Sequence, residues 1–430
     1  MSKIEVNEID KQSGSTLTIG GSGTTVQLGT GASQTGFGRE GSVNWQTSSI
    51  KTANFTAVSG EGYFVDTSSG AIEVDLPAGS PGAIVAFKDY ANTFDSNGLT
   101  IDPDGTEKIG GETTSSIATQ EGLAVTLVYV DSTKGWLVTN SGLQSDAPLP
   151  SYSIQMLVVA GGGAGANDTS GAHSGGAGAG GYRESTQTVT QGSGVMTVTV
   201  GDGGSQGNIG TDGNDSSVSA AGITDITSAG GGRGANSAEG PANAGGSGGG
   251  GGGSTYGTGA AGNTPSTAPS QGNSGGNSNH SGGNYPTGGG GGASTSGANG
   301  GSASGSGAQG GQGGAGTASS ITGSSVTRGG GGGGSCYPDG PGGPGAGGAG
   351  GGGNGGSQAS ATNGTANTGG GGGGASGNGG NSGGNGGKGV VILSMPDAFY
   401  SGTTTGSPTV ATGVSGQTVL TFNSSGSYTP

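Results

Sequence analysis

A single cysteine, Cys336, stands in 430 residues. An intrachain disulfide is excluded, and with it the stapled framework of small secreted domains. Charge is also scarce: 9% of residues are charged, 11 basic against 26 acidic, for a net of −15. Nucleic acid needs clustered Lys and Arg to neutralise phosphate, and an anionic membrane surface needs them too, so neither partner is expected. The acidity is thinly spread and reads as solubility. No apolar run approaches the roughly 18 residues of a membrane span, which argues against membrane insertion. The start, Met1-Ser2-Lys3-Ile4-Glu5-Val6, lacks the apolar stretch of a secretory signal, so synthesis in a reducing cytoplasm is expected. Hydrophobic residues make up only 27%, too few for one oily core to organise the whole length.

Short alternations of apolar and polar residues open the chain. Ile4, Val6 and Ile9, then Leu17 and Ile19, then Val26 and Leu28 are parted by glycine turns such as Gly20-Gly21-Ser22-Gly23. Period two with glycine punctuation predicts short strands over residues 1–45. Such strands cannot cover both faces within one chain, which points to a fibrous oligomer. Residues 46–142 form the conventionally globular stretch. Tyr63–Val65, Ile72–Leu76, Ala83–Phe87, Leu99–Ile101, Ala124–Val130 and Trp136–Val138 read as strands between turns such as Ser69-Gly70 and Asp104-Gly105. Both tryptophans and four of the seven phenylalanines lie between Trp45 and Asn140, so the aromatic core belongs here. A small β-sandwich or β-roll is expected, and no long segment shows the helical period of about 3.6 residues. Residues 143–153, with Pro148 and Pro150, read as a linker.

Glycine then takes over. Of 115 glycines, 89 fall between 155 and 396, and the strands Ile154–Val159 and Val390–Leu393 bracket the region 154–396. A last β-segment, 397–430, contains the alternation Thr418–Phe422. Collagen is excluded because glycine keeps no strict three-residue period. A flexible linker is the ordinary reading of Gly/Ser-rich sequence, but three features oppose it. Strand-like stretches occur within the region at Glu184–Thr190, Val195–Val200 and Ile223–Ile226. Pure glycine runs begin at Gly248, Gly288, Gly329, Gly350 and Gly369, so successive starts are separated by close to one fixed length or twice that length. Between 241 and 387 only Arg328 and Asp339 are charged, whereas disordered segments are normally solvated by charge.

A bundle of polyglycine II-type helices fits these features. Such helices are extended, left-handed and threefold, with no internal hydrogen bonds. Every N–H and C=O points outward, and only a residue without Cβ lets a neighbour come close enough to pair. Ordering a backbone costs about 1–2 kcal/mol per residue and a hydrogen bond returns about 1, so several helices must pack together. A repeat of about 20 residues allows a run of 7–10 residues, roughly 20–30 Å long, with Ser, Asn and Thr in the turns. The expected fold class is therefore all-β plus glycine-rich, with essentially no α-helix.

Glycine abundance also imitates motifs. Gly245-Gly246-Ser247-Gly248-Gly249 matches G-x-S-x-G without the strand, elbow and helix that pattern requires. Gly387-Lys388 lacks the Ser or Thr that a phosphate loop places next. Asp102-Pro103-Asp104-Gly105 and Asp212-Gly213-Asn214-Asp215 lack the spacing and closing Glu of a calcium loop, so turn formation accounts for them better. The only histidines, His173 and His280, sit in glycine/serine loops. No catalytic residue, metal site or cofactor is expected, and the chain reads as a non-enzyme. Loops on a rigid scaffold commonly carry binding. Bulky side chains are rare in the glycine region, and Tyr256, His280, Tyr285 and Tyr337 stand out beside its runs. Their rings suit contact with sugars or proteins; equally, they could plug the ends of the lattice.

Two stretches resemble known families. Gly60-Glu61-Gly62-Tyr63-Phe64-Val65-Asp66-Thr67-Ser68-Ser69-Gly70-Ala71-Ile72, with Leu76-Pro77 and Ile84–Tyr90, resembles the β-module of tail-fibre proteins in marine phages, cyanophages above all. Ile4–Ile9 and Leu17–Gly21 share this resemblance, which extends from Met1 to about Asn140. Met156–Gly163, Gly178–Tyr182, Val198–Gly204 and Val390–Leu393 are similar to the glycine-rich domain of phage fibres. They are also similar to fibre-tip adhesins of T-even-like phages, whose polyglycine helices carry receptor-contacting loops. The resemblance implies a virion protein on the particle exterior, released by lysis. It implies a homotrimer along the stretch from Met1 to about Asn140, joined to other tail or tail-fibre proteins through residues 1–45. It further implies binding of a host surface glycan or outer-membrane protein but assigns no contact residue; Tyr256, His280, Tyr285 and Tyr337 are candidates by their rarity alone. A purely structural appendage (a head fibre or decoration protein) is the alternative. More remote is an ice-binding bundle with flat Thr/Ser faces.

Overall fold

The computed structural model describes residues 43–146, 150–168, 171–280, 285–301, 309–337, 342–377 and 379–430. These are all-β: the described residues include no α-helix, and no helix long and apolar enough to cross a membrane. The strands expected before Asn44 lie outside the described residues. The chain divides into two compact units, Met1–Pro148 and Leu149–Pro430.

The first unit is a roll. Its strands β1 (Asn44–Trp45), β2 (Phe55–Thr56), β3 (Glu61–Val65), β4 (Ile72–Asp75), β5 (Ile84–Asp89) and β6 (Leu99–Asp102) alternate between two sheets. β1, β3 and β5 run parallel in one sheet, and β2, β4 and β6 run parallel in the other. Then β7 (Ser116–Ala118), β8 (Ala124–Asp131) and β9 (Gly135–Gly142) add antiparallel edges. Period-two patterning places the core: in β4, Ile72 and Val74 are buried while Glu73 and Asp75 face water. Tyr63, Val65, Val74, Phe87, Leu99, Leu127 and Trp136 meet in one apolar cluster fed by both sheets. Buried Asp89 accepts backbone N–H groups from Thr93, Phe94 and Gly122, so its carboxylate fastens two loops.

The second unit opens with β10 (Ser151–Val159), β11 (Tyr182–Thr190), β12 (Met196–Thr199), β13 (Ser216–Ser219) and β14 (Ile226–Ser228). A hairpin follows, β15 (Thr317–Ser319) and β16 (Val326–Arg328). It closes with β17 (Val390–Pro396), β18 (Thr404–Thr405), β19 (Thr409–Val414), β20 (Gln417–Phe422) and β21 (Gly426–Tyr428). One sheet runs in the order β11-β10-β17-β20-β19 and another in the order β14-β13-β12-β21-β18. The C-terminal segment is thus built into both sheets. Ile154, Met156, Val158, Met196, Val198, Leu393, Phe422 and Tyr428 pack together in one core. The opposite face of β10 and β17 buries Leu157, Val159, Val390 and Ile392 in a second cluster. Burial on both faces explains why these two strands read as unbroken apolar runs.

Beyond Val159 the chain stays extended but ceases to be a strand. Ser174–Tyr182 lies in its interior and shows how this part is held. Gly175, Gly178 and Gly181 donate to Ala235, Gly232 and Ala229. Gly176 and Ala179 donate to Gly288 and Gly291, while Ala177 and Gly180 donate to Gly372 and Gly369. Successive N–H groups therefore turn to three different neighbours and return to each after three residues. The carbonyls do the same toward three others: Gly176, Ala177 and Gly178 accept from Gly250, Gly332 and Gly163. None of Gly175, Gly176, Gly178, Gly180 or Gly181 has a positive φ, so the three-residue screw has the left-handed polyproline sense. Ala160–Asp168, Thr287–Ala293, Gly329–Ser335 and Gly369–Ala375 are bonded in the same pattern.

Cβ is what this packing excludes. A methyl on Gly175, Gly176, Gly178 or Gly180 would sit 2.0–2.1 Å from the carbonyl oxygen of Gly250, Gly332, Ser247 or Ala160. At the rim, where no further helix follows, polar side chains take the place of neighbours. Asn277 and Asn299 accept the N–H groups of Gly259 and Asn277, and Asn363 and Asn385 accept those of Asn385 and Gln206. Asp212 and Asp215 accept from Arg233 and Gly230, so these carboxylates cap the lattice. Asn and Asp therefore do more than make the turns expected of them.

Gly176→Ala forces a methyl onto backbone that has nowhere to move. It is expected to cost at least about 1–3 kcal/mol, whereas Ser296→Ala on the exposed rim stays within about 0.5 kcal/mol. Thermal unfolding by calorimetry checks both, and equal midpoints for the two variants contradict the packing described.

Candidate functional site

Ala160–Asp168 leads away from β10, and His173–Gly181 leads back into β11, so the turn between them lies at the end of the lattice remote from the sheets. The register of bonds places the ends of other helices at the same level: Ala235, Gly253, Ser278, Ser335 and Ala375. The bulky side chains near these ends gather there. Rings contact in the order His280, Tyr285, His173, Tyr337, with centroids 4.9, 4.4 and 5.5 Å apart and planes within 20° of parallel. Backbone bonds fix the column: Tyr285 N–H donates to the Tyr337 carbonyl, Gly253 N–H to the His173 carbonyl, and His173 N–H to Ser237 Oγ. Gly253 makes room for it, since a Cβ there would lie 3.1 Å from that of His173 and 3.5 Å from that of Tyr285.

The column grades from interior to surface. His173 is buried, Tyr285 and Tyr337 are half-buried, and His280 is exposed. An open cleft of about 430 Å³ runs beside it, lined by Gly171, His173, Ser237, Ser254, His280, Tyr285, Tyr337 and Gly377. Next to Gly377 lies Asp168, which is 2% exposed and accepts the Gly379 N–H through Oδ2. Asp168 Oδ1 and His173 Nδ1 are both buried without a hydrogen-bond partner. Burial pushes the His173 imidazole below its ordinary pKa; the Asp168 carboxylate works against that shift and His280 adds to it. Among the described residues no group of three His, Cys, Asp or Glu side chains is placed to hold a metal.

Three of the four ring residues singled out in the sequence, His280, Tyr285 and Tyr337, therefore meet in one place. Tyr256 lies on a turn at the same end, where its carbonyl accepts the Gly252 N–H, and its ring takes no part in the column. Sequence reasoning missed His173 and Asp168. His173 was visible as one of only two histidines, but nothing local marks it as the ring that joins the others. A larger cleft of about 530 Å³ lies at the sheet end, between β11, the β15–β16 hairpin and Val414–Gln417. Its walls hold hydroxyls, amides and Glu184 beside the apolar Met156, Ile321 and Val414, with no ring among these described residues.

His173 makes stability depend on pH. An imidazole in the unfolded chain titrates near 6.5, whereas His173 in the fold resists the proton. Above that pH both states are neutral and the residue adds no proton-linked cost. Below it the unfolded chain binds more protons, so stability falls as pH falls. The thermal midpoint is expected to drop between about pH 7.5 and pH 5, and His173→Phe, which keeps the stacked ring, should recover part of that drop. Identical pH profiles for the two proteins contradict this assignment.

The model of a glycine-rich domain matches residues 139–396, the region in which lattice and column lie. No curated protein matches the chain. With the match covering more than half its length, the chain belongs to the glycine-rich domain family.

Proposed function

We propose that this chain is a non-enzymatic fibre component on the exterior of a phage particle, and that it binds the host surface through the end of its glycine lattice. One observation carries the reading: a scaffold held by paired backbone groups gathers His173, His280, Tyr285 and Tyr337 at the end remote from its sheets. A lattice so cross-linked is stiff, and stiffness lowers the entropy cost of presenting side chains to a partner. Tyrosine and histidine offer flat area with a polar handle, the chemistry enriched where proteins meet partners. The resemblance of the N-terminal stretch, Met1 to about Asn140, to marine-phage tail fibres supports the location. On this reading that stretch forms a homotrimer, and residues 1–45 join it to other tail or tail-fibre proteins. The ligand is a host glycan or an outer-membrane protein.

Particles carrying Tyr256→Ala, His280→Ala, Tyr285→Ala and Tyr337→Ala together are expected to adsorb to host cells at least about ten-fold less well, as loss of a buried aromatic anchor commonly does. Calorimetry on the purified variant confirms that the fold survives. Normal adsorption by such particles overturns the adhesive role and leaves a purely structural appendage.

A further inference from the structure

The larger cleft, at the sheet end, lies over a sheet face that changes character along its length. Leu157 and Ile392 sit side by side in an apolar cluster that Ile321 and Val414 help to cover. Two residues along, the cross-strand row becomes Thr186, Gln155 and Ser394, in register on β11, β10 and β17. This polar row is left uncovered. Gly323, with a φ of 85°, brings the hairpin turn against Val414, where a Cβ would lie 2.6 Å from Cγ1. The turn thus rests on the end of β19 and not on the row, and a cleft of about 530 Å³ remains. That volume falls within the range of small-ligand clefts, about 300–1,000 Å³.

The polar groups of this lining are within reach of a ligand. Gln155, Glu184, Thr186, Ser320 and Ser415 all line the cleft and are exposed. The side chains of Gln155, Thr186 and Ser394 make no hydrogen bond to another described residue. Glu184 accepts from the Tyr182 hydroxyl through Oε1, which steadies its carboxylate at the wall.

Glu184 is also the one charged residue among the described residues of the lining. Arg183 points to the opposite face of β11, where its guanidinium donates to the Thr227 carbonyl. A phosphate, sulfate or carboxylate would therefore meet a carboxylate with no cation to offset it. A lone exposed carboxylate holds a cation only weakly, and the described residues offer no group of three metal ligands. An extended peptide pairs with backbone along a strand edge, whereas this floor is made of side chains on a sheet face. Hydroxyls and amides both donate and accept, and Ile321 and Val414 add an apolar strip. A sugar ring matches both, with hydroxyls around its rim and C–H groups on its face.

We propose that this cleft binds an uncharged saccharide, whose hydroxyls bond to Gln155, Thr186, Ser394 and Glu184 and whose C–H face lies on Ile321 and Val414. The site is separate from the ring column and would stand whether or not that column meets the host.

Saturation-transfer NMR on the full-length protein, with D-glucose, D-galactose, D-mannose and N-acetylglucosamine as probes, tests the proposal. N-acetylneuraminic acid, lysine amide and trialanine serve as comparators. Transfer to at least one neutral sugar is expected, with a Kd raised about five-fold by Thr186→Val and by Gln155→Ala, the loss of one hydrogen bond in each case. Thr186→Val keeps the shape of an exposed β-branched residue, and Ser320→Ala, on the opposite wall, supplies a second reading should either variant fail to fold. No transfer to any neutral sugar overturns the proposal, as does a Kd that all three variants leave unchanged. Transfer to a comparator alone does the same. A Kd raised by Tyr285→Ala but indifferent to Thr186→Val and Gln155→Ala would move the sugar to the ring column and also overturn it.

Discussion

An N–H with no partner in its own helix must find one in the next, and the approach that allows it leaves no room for Cβ. This constraint governs the second unit. At Gly176 the missing methyl would lie 2.1 Å from the Gly332 oxygen, and at Gly372 it would lie 2.0 Å from that of Gly384. Glycine is therefore the only residue that fits at these contacts, although it loses more conformational freedom on folding than any other. Ala177 and Ala179 are buried in the same helix, so the exclusion acts at particular contacts and not at every position, and the φ angles there are ones that L-residues also adopt. The interior that results holds paired amides in place of oil.

Such an interior needs help to find its register, and the sheets supply it. β10 pairs with β17 as Val159↔Val390, and the same antiparallel register continues as Gly162 to Gly387 and Gly165 to Gly384. β10 pairs with β11 as Val159↔Tyr182 and continues as Ala160 to Gly181 and Gly163 to Gly178. Along each pair the bonds change from a two-residue to a three-residue spacing while the alignment holds. The apolar clusters around Met156, Leu393 and Phe422, and around Leu157 and Ile392, each bury side chains worth about 1.5–3 kcal/mol apiece. Glycine lacks side chains to contribute anything comparable, so an oily base aligns the chain and the amide lattice extends it.

Much of this was legible in the sequence. The bracketing strands could be read from Val158-Val159 and Val390–Leu393, and the threefold bundle from run spacing and missing charge. The roll of the first unit followed from alternation in stretches such as Ile72–Asp75, but its parallel order did not, because period two is the same in parallel and antiparallel strands. The rim was misjudged in part: Asn299 and Asn385 look like turn formers, and only the lattice edge reveals N–H groups for them to cap. The end cluster was half visible. Rarity exposed His280, Tyr285 and Tyr337. The place of His173 among them depends on turns far apart in the chain meeting in space, and Asp168 looks like any polar turn residue until its burial is known.

The stiffness that would let one end of the lattice act as a binding platform rests on those inter-helix amide bonds. Hydrogen–deuterium exchange of the full chain, followed at Gly175–Gly181 and Gly288–Gly292, tests them most directly, since no side chain there can protect an amide by other means. The lattice predicts that these glycines exchange as slowly as Met156–Val159 in β10, on a scale of minutes to hours. Exchange at the rate of an unstructured glycine chain, with β10 still protected, would contradict it.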